Sequence, residues 1–270
     1  MMLSVAMLTR LPTTPPSGEG ENPDWSLVAG FFPLCGWIVG ALSAAAALAP
    51  LAFHLERHPG LDAPHATFAI LSAAIFTAAT AWMSRAFHLD GFCDTVDAAT
   101  APGASKERRL EIMKDSNAGA AAACAVAILI VLKTAALAAL IGGARFPHGV
   151  GMWRAAAVCA PPLLAIPVLG RMAMLSLAWM GDYPKDSGTG KSVVDGTNAL
   201  SMAMGIAATA ALAAILPVPA FFAAVSAAAA TAVFWKLKSD SLIGGVNGDI
   251  LGACCETAEC AVAIVLAFSL

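Results

Sequence analysis

Runs of about 20 residues with almost no charge recur along this chain, and that is the length a helix needs to cross the hydrocarbon layer of a bilayer. Hydrophobic residues make up 59% of the 270 and charged residues only 12%, with a mean hydropathy of +0.77. Within lipid a chain must satisfy its backbone polar groups internally, so such runs predict helices. The expected fold is an all-α, polytopic transmembrane bundle, a single integral membrane domain over 1–270. Seven segments are expected, roughly at 29–53, 66–84, 118–141, 151–170, 199–216, 218–236 and 249–269. Pro217 and Pro219 separate the fifth from the sixth and predict a tight hairpin there. Pro161, Pro162 and Pro167 make the fourth the least regular.

Lysine and arginine counts orient the bundle, because short cytoplasmic connections carry the excess of bases. Arg85, Lys106, Arg108, Arg109 and Lys114 lie between segments two and three. Arg171, Lys185 and Lys191 lie between four and five, and Lys236 and Lys238 between six and seven. The opposite connections hold Arg57, Arg145 and Arg154. The amino terminus is therefore expected in the cytoplasm, the carboxyl terminus outside, and the polar connections on the cytoplasmic face of the inner membrane. The net charge of −3 is small and unclustered, which gives no reason to expect nucleic acid as a partner. Met1 to Leu8 is short, and its nearby base, Arg10, follows it, unlike a signal peptide; Pro12 to Asp24 reads as a Pro/Gly/Thr-rich connection. The seven cysteines show no C-x-x-C spacing and read as small buried hydrophobes.

Residues 85–117 form the most charged connection, with Asp90, Asp94 and Asp97 at i, i+4 and i+7. On a helix all three carboxylates would leave from one face. Two carboxylates about 5 Å apart repel by roughly 3 kcal/mol at an effective dielectric near 20. Such a face suits Mg2+, which takes one or two carboxylates and fills its other positions with water or phosphate. It also suits a solvated helix end paired with Arg85 or Lys106. The following stretch, Lys106 to Asn117, reads as an amphipathic helix capped by Ser105. Arg108, Arg109 and Lys114 are candidates to clamp phosphate oxygens there and Asp115 to join the metal face; the alternative is a charged helix at headgroup level.

Two further stretches carry polar chemistry. Gly181 to Ser192 lacks the glycine spacing of a Walker A loop, yet Gly188 and Gly190 expose backbone N–H groups beside Lys185 and Lys191, as an anion-binding loop does. A plain connection is the other reading. Gly244 to Glu259 opens the last segment. Asp249 and Glu256 share one face of it about 10 Å apart along the axis, and acids in a membrane helix are costly enough to imply a polar interior. Lys133, deep in segment three, either snorkels or pairs with an interior acid.

With these motifs in hand the chain resembles the cobalamin synthase, or adenosylcobinamide-GDP ribazoletransferase, family. The matching residues are Phe87-His-Leu-Asp-Gly-Phe-Cys-Asp-Thr-Val-Asp97, Arg109-Leu-Glu-Ile-Met-Lys-Asp-Ser116 and Gly244-Gly-Val-Asn-Gly-Asp-Ile-Leu-Gly252. Thr9-Arg-Leu-Pro12, Phe32-Pro-Leu-Cys-Gly36 and Tyr183 to Gly190 fit more loosely. After Ser116 the family often carries a basic residue and a Gly-Thr pair, where this chain has Asn117, Gly119 and Ala120.

The resemblance implies a transferase that joins adenosylcobinamide-GDP to alpha-ribazole, or to its 5'-phosphate, releasing GMP and using Mg2+. It implies metal ligands at Asp90, Asp94, Asp97 and Asp249, with Asp94, Asp97 and Glu256 as catalytic carboxylates. Substrate contacts are expected from Arg85, His88, Arg109, Lys114, Asp115, Gly188, Gly190, Lys191 and Asn247. A homo-oligomer, or association with other cobalamin-assembly enzymes in the lipid bilayer, is compatible with it. CDP-alcohol phosphotransferases and aromatic prenyltransferases also place Mg2+ on helical aspartates, but their fuller motifs are absent. A cation-coupled transporter using Lys133, Glu256 and Glu259 would require internal repeats of the membrane segments, and none is visible.

Overall fold

A computed structural model describes all residues except 14–22, 59–62, 146–151, 186, 187 and 189, and the side chains of 152–156 as well. Much of the Pro12–Asp24 connection, the start of the fourth expected segment and the Arg154 side chain thus lie outside the described residues. The elements run α1 (Met2–Leu8), α2 (Trp25–Gly30), α3 (Phe32–Arg57), α4 (Ala66–Met83), α5 (Phe87–Thr100) and α6 (Lys106–Ile112). They continue as α7 (Ala120–Gly143), α8 (Met152–Met180), α9 (Lys191–Gly196), α10 (Ala199–Ala210), α11 (Val218–Leu242) and α12 (Gly248–Ser269).

Six stretches among the described residues are long and apolar enough to cross a membrane: Trp25–Arg57, Ala66–Met83, Ala120–Gly143, Ala157–Met180, Val218–Leu242 and Gly248–Ser269. The fifth expected segment is present but shorter, as α10 extended by a 3-10 turn over Ala211–Ala214. The two together reach about 26 Å, at 1.5 Å per α-residue and 2.0 Å per 3-10 residue. The chain is a multi-pass helical membrane protein.

Helices α8 and α12 form the buried centre, with 72% of each apolar window enclosed, whereas α7 and α11 leave most of theirs on the periphery. Small residues permit the closest contacts, since lipid supplies no hydrophobic drive between helices and packing must do the work. Ala220, Ala224, Ala228 and Ala232 recur every fourth residue as the buried stripe of α11. Gly36 lets α3 meet α8 backbone to backbone, because a Cβ there would stand 2.6 Å from the Pro167 carbonyl oxygen. Pro161, Pro162 and Pro167 do not interrupt α8. The expected tight hairpin is a turn between diverging helices: α10 packs on α2 and α8, and α11 on α12 and α8. Among the cysteines Cys124 is exposed on α7 and Cys93 half-buried, and the other five are buried as expected.

Arg171 requires a correction. The sequence reading placed it in a cytoplasmic connection, but α8 runs on to Met180 and encloses Arg171 at 1% exposure. Its guanidinium donates to Glu259 at 2.6 Å, and the Lys133 ammonium bridges Glu259 and Glu256, the latter at 3.1 Å. Two cations and two carboxylates thus cancel one another inside the bundle and join α7, α8 and α12. Lys185 and Lys191 alone preserve the basic excess of that connection.

Removing one member of a buried ion pair is strongly destabilising, by about 3–5 kcal/mol, because it strands a charge. Lys133→Met is therefore expected to lower the thermal midpoint of the detergent-purified protein, and Lys133→Met with Glu256→Gln, which restores neutrality, to recover much of the loss. Equal midpoints for wild type and the single variant would show that the cluster does not hold the bundle.

Candidate functional site

The turn from α4 into α5 sets the site. Arg85 and Ala86 both take left-handed backbone, at φ 57° and 56°, an unusual conformation for residues with a Cβ. The turn sends α5 back antiparallel to α12. Gly91 lies against Asp249, where a Cβ would stand 2.8 Å from the Asp249 carbonyl oxygen, and Gly252 lies against His88, at 3.1 Å from its carbonyl oxygen. The two acidic motifs, more than 150 residues apart in sequence, therefore meet.

Burial and then the charges of Asp249, Asp90 and Asp97 push the Asp94 carboxyl up to about 7. None of these four aspartates has an ion-pair partner among the described residues, so the pairing with Arg85 or Lys106 does not form. Lys106 instead donates to the Asp240 carbonyl oxygen at 3.0 Å. Two of the acids are oriented by neighbours. The Gly119 N–H donates to Asp97 at 2.6 Å, and Asn247, the cap of α12, donates its Nδ2 to Asp249 at 2.8 Å while accepting from the Ile250 N–H. Asp249 also occupies the first turn of α12, where the helix dipole favours an anion.

Beside this group lies a cleft of about 410 Å³ lined by Phe87, Lys114, Tyr183, Lys185, Asn247 and Asp249, among others. Its loop wall is tied down, since the Val246 N–H donates to the Asp182 carbonyl oxygen at 2.8 Å and Gly190 lies against the Gly248 backbone. Among the described residues no three His, Cys, Asp or Glu side chains are gathered to hold a metal ion by themselves. Unpaired carboxylates on two facing helices next to lysines instead fit a hydrated Mg2+ shared with a phosphate-bearing ligand, and do not fit an all-protein cage.

Other expected site residues are placed differently. Arg109 hydrogen-bonds the carbonyl oxygens of Ala98, Ala101 and Ala104, capping the end of α5 instead of facing the cleft. Asp115 accepts from Asn117 in an exposed turn and does not join the metal face. Glu256 is held by Lys133 in the interior, about two turns beyond Asp249. His88 is buried at 1% exposure, with Arg171 and Glu259 among the charges acting on it, and neither ring nitrogen has a hydrogen-bond partner among the described residues. Burial, and next Arg171, lower its pKa to about 3, so its imidazole is neutral.

Lys191 bonds Asp195 at 2.6 Å and lies 5.9 Å from the Tyr183 ring centre. Arg85 and Asp90 line a shallow second pocket on the other side of Phe87. Ser105 caps α6 as expected, accepting from the Arg108 N–H. Tyr183 and the facing of Lys185 toward Lys114 are the features the sequence reading missed. Their one signal was the glycine-rich loop that carries them.

A family model described as cobalamin-5-phosphate synthase matches residues 1–267. Curated relatives named adenosylcobinamide-GDP ribazoletransferase include one from Syntrophobacter fumaroxidans, 34% identical over 95% of this chain and 92% of its own. Another, from Ralstonia nicotianae, is 32% identical over 98% of this chain and 93% of its own. A third, from Pseudomonas paraeruginosa, is 29% identical over 99% and 97%. No solved structure matches.

A Cβ at position 119 would stand 2.5 Å from Asp97 Oδ1, the far end of a movable side chain. Gly119→Ala should therefore fold normally but displace Asp97, and losing such an orienting contact costs about 10–100-fold in metal affinity. Mn2+ titration followed by electron paramagnetic resonance should show that loss, with Gly142→Ala, where a Cβ meets only Ala69 at 3.5 Å, unchanged. Unaltered Mn2+ affinity in Gly119→Ala would separate Asp97 from any metal site.

Proposed function

The chain belongs to the cobalamin-5-phosphate synthase family, and from that premise we propose that it works as an adenosylcobinamide-GDP ribazoletransferase at the cleft between α5, α12 and residues 183–185. The observation that carries this reading is the meeting of the Asp90–Asp94–Asp97 face with Asp249 beside Lys114. Unpaired acids facing a base are what a metal-assisted transfer between phosphate esters requires. The basic excess of these connections supports a cleft that opens to the cytoplasmic face of the inner membrane, where soluble nucleotides are available.

In the reaction the hydroxyl of alpha-ribazole, or of its 5'-phosphate, forms a bond to the phosphorus nearer the cobinamide. The bridging oxygen leaves with GMP. Carboxylates drawn from Asp90, Asp94, Asp97 and Asp249 would hold a hydrated Mg2+, which when bound would supply positive charge against the diphosphate. Asn247 keeps Asp249 aimed and Gly119 does the same for Asp97. Lys114 meets the phosphate oxygens. Asp94, which lies among Asp90, Asp97 and Asp249, is positioned to accept the hydroxyl proton. The interior acids that a cation-coupled carrier would use are instead locked to Lys133 and Arg171, which disfavours that alternative.

The protein in detergent or lipid should release GMP only when adenosylcobinamide-GDP, alpha-ribazole and Mg2+ are all present, and Asp94→Asn should lower turnover by at least about 100-fold, as loss of a positioned acid-base group does. Metal-dependent release that ignores alpha-ribazole would reduce the reading to simple hydrolysis. Near-normal turnover in Asp94→Asn would remove Asp94 from the site.

A further inference from the structure

Lys114 and Lys185 come from segments about seventy residues apart, one just past α6 and the other on the 181–190 loop, yet both line the same cleft. Neither forms an ion pair among the described residues. The pKa of Lys185 is lowered first by burial and then by the charge of Lys114, so the two side chains lie close enough to feel one another. Two ammonium groups held together repel one another, and unrestrained lysines would swing apart into water.

The backbone holds them there. Gly245 packs so closely on Pro184 that a Cβ would stand 3.1 Å from its nitrogen, and the Asp182 carbonyl oxygen accepts from the Val246 N–H. Lys114 is set at the end of α6, where its N–H donates to the Glu111 carbonyl oxygen at 3.0 Å. These backbone contacts thus bring together two cations that their own electrostatics would separate. A ligand with more than one negative charge relieves both most fully.

We propose that Lys114 and Lys185 form a two-cation clamp for the diphosphate of the nucleotide-activated substrate, with Lys185 as a specificity-determining residue that the hydroxyl-bearing substrate does not touch. The proposal rests on the transferase reading above and adds to it the group that each substrate meets. An uncharged ribazole offers nothing to a paired cation, whereas a diphosphate offers charge on both phosphorus centres. Asp249 stands in the same cleft, so the diphosphate lies between the lysine pair and the acidic face.

The test uses the full-length protein with Lys185→Met, Lys185→Arg and, as a control of equal charge change on the exposed side of α11, Lys238→Met. Two quantities are measured: the KM for each substrate, and by calorimetry in Mg2+ the affinity for inorganic pyrophosphate, which needs no turnover. Hydrogen bonds to charged groups are worth about 10–100-fold in affinity. Lys185→Met should raise the KM for adenosylcobinamide-GDP and weaken pyrophosphate by that order, leave the KM for alpha-ribazole unchanged, and be largely rescued by Lys185→Arg. Pyrophosphate affinity equal to wild type, a matching rise in both KM values, or the same effect from Lys238→Met would overturn the clamp. Wild-type GMP release with unaltered pyrophosphate binding in Lys185→Met would overturn the clamp and keep the transferase. Weakened pyrophosphate binding in a protein that never releases GMP would do the reverse.

Discussion

Four charges in the membrane interior cancel in pairs, and the position of the site depends on that cancellation. A lone charge at bilayer depth costs several kcal/mol, so Lys133, Glu256, Glu259 and Arg171 can be enclosed only together. Their mutual contacts fix α7, α8 and α12 relative to one another. α12 then supplies the surface on which α5 packs through Gly91 and Gly252. Asp249 reaches the Asp94 face because the helix carrying it is held two turns further in.

The cleft that results is strongly polarised. Asp249 lines one side, next to the acids of α5, and Lys114 and Lys185 come from the connections on the other. Left alone, these two sets of side chains would be expected to close on each other as salt bridges, and among the described residues they do not. Backbone contacts keep them apart: Asp182, Pro184 and Gly190 are fastened to the 244–248 turn, and Arg109 spends its guanidinium on the end of α5. Charge separation maintained by the fold is a form of preorganisation, in which donors and acceptors wait at the places where a ligand's charge will be.

Much of this was legible in the sequence. The apolar runs gave the helices, because a bilayer leaves the chain few alternatives, and the Asp90, Asp94, Asp97 spacing gave one acidic face. The hidden parts were the ones set by helix ends and by distant partners. Arg171 looked like a loop base because the expected segment ended at 170, whereas α8 carries its three prolines and runs on to Met180. Arg109 looked like a phosphate ligand because nothing in its local pattern shows that the end of α5 lies within its reach. The pairing of Lys114 with Lys185 spans two connections, and no periodicity links them.

Depth, more than spacing, sorts the acids of α12. Asp249, Glu256 and Glu259 occupy one helix, and the first two share a face, so the sequence suggested a common role for them. Each residue advances about 1.5 Å along the axis, which puts Glu256 about 10 Å and Glu259 about 15 Å further in than Asp249. At the mouth, the helix dipole and the Asn247 amide steady the Asp249 carboxylate without a fixed cation. In the interior neither is at hand, and a carboxylate must be matched by a cation of its own chain, as Lys133 and Arg171 match the two glutamates. A charge already matched has little left to offer a reacting group. The acids of one helix are therefore left without a cation at the start of α12 and bound to cations of the chain two turns later.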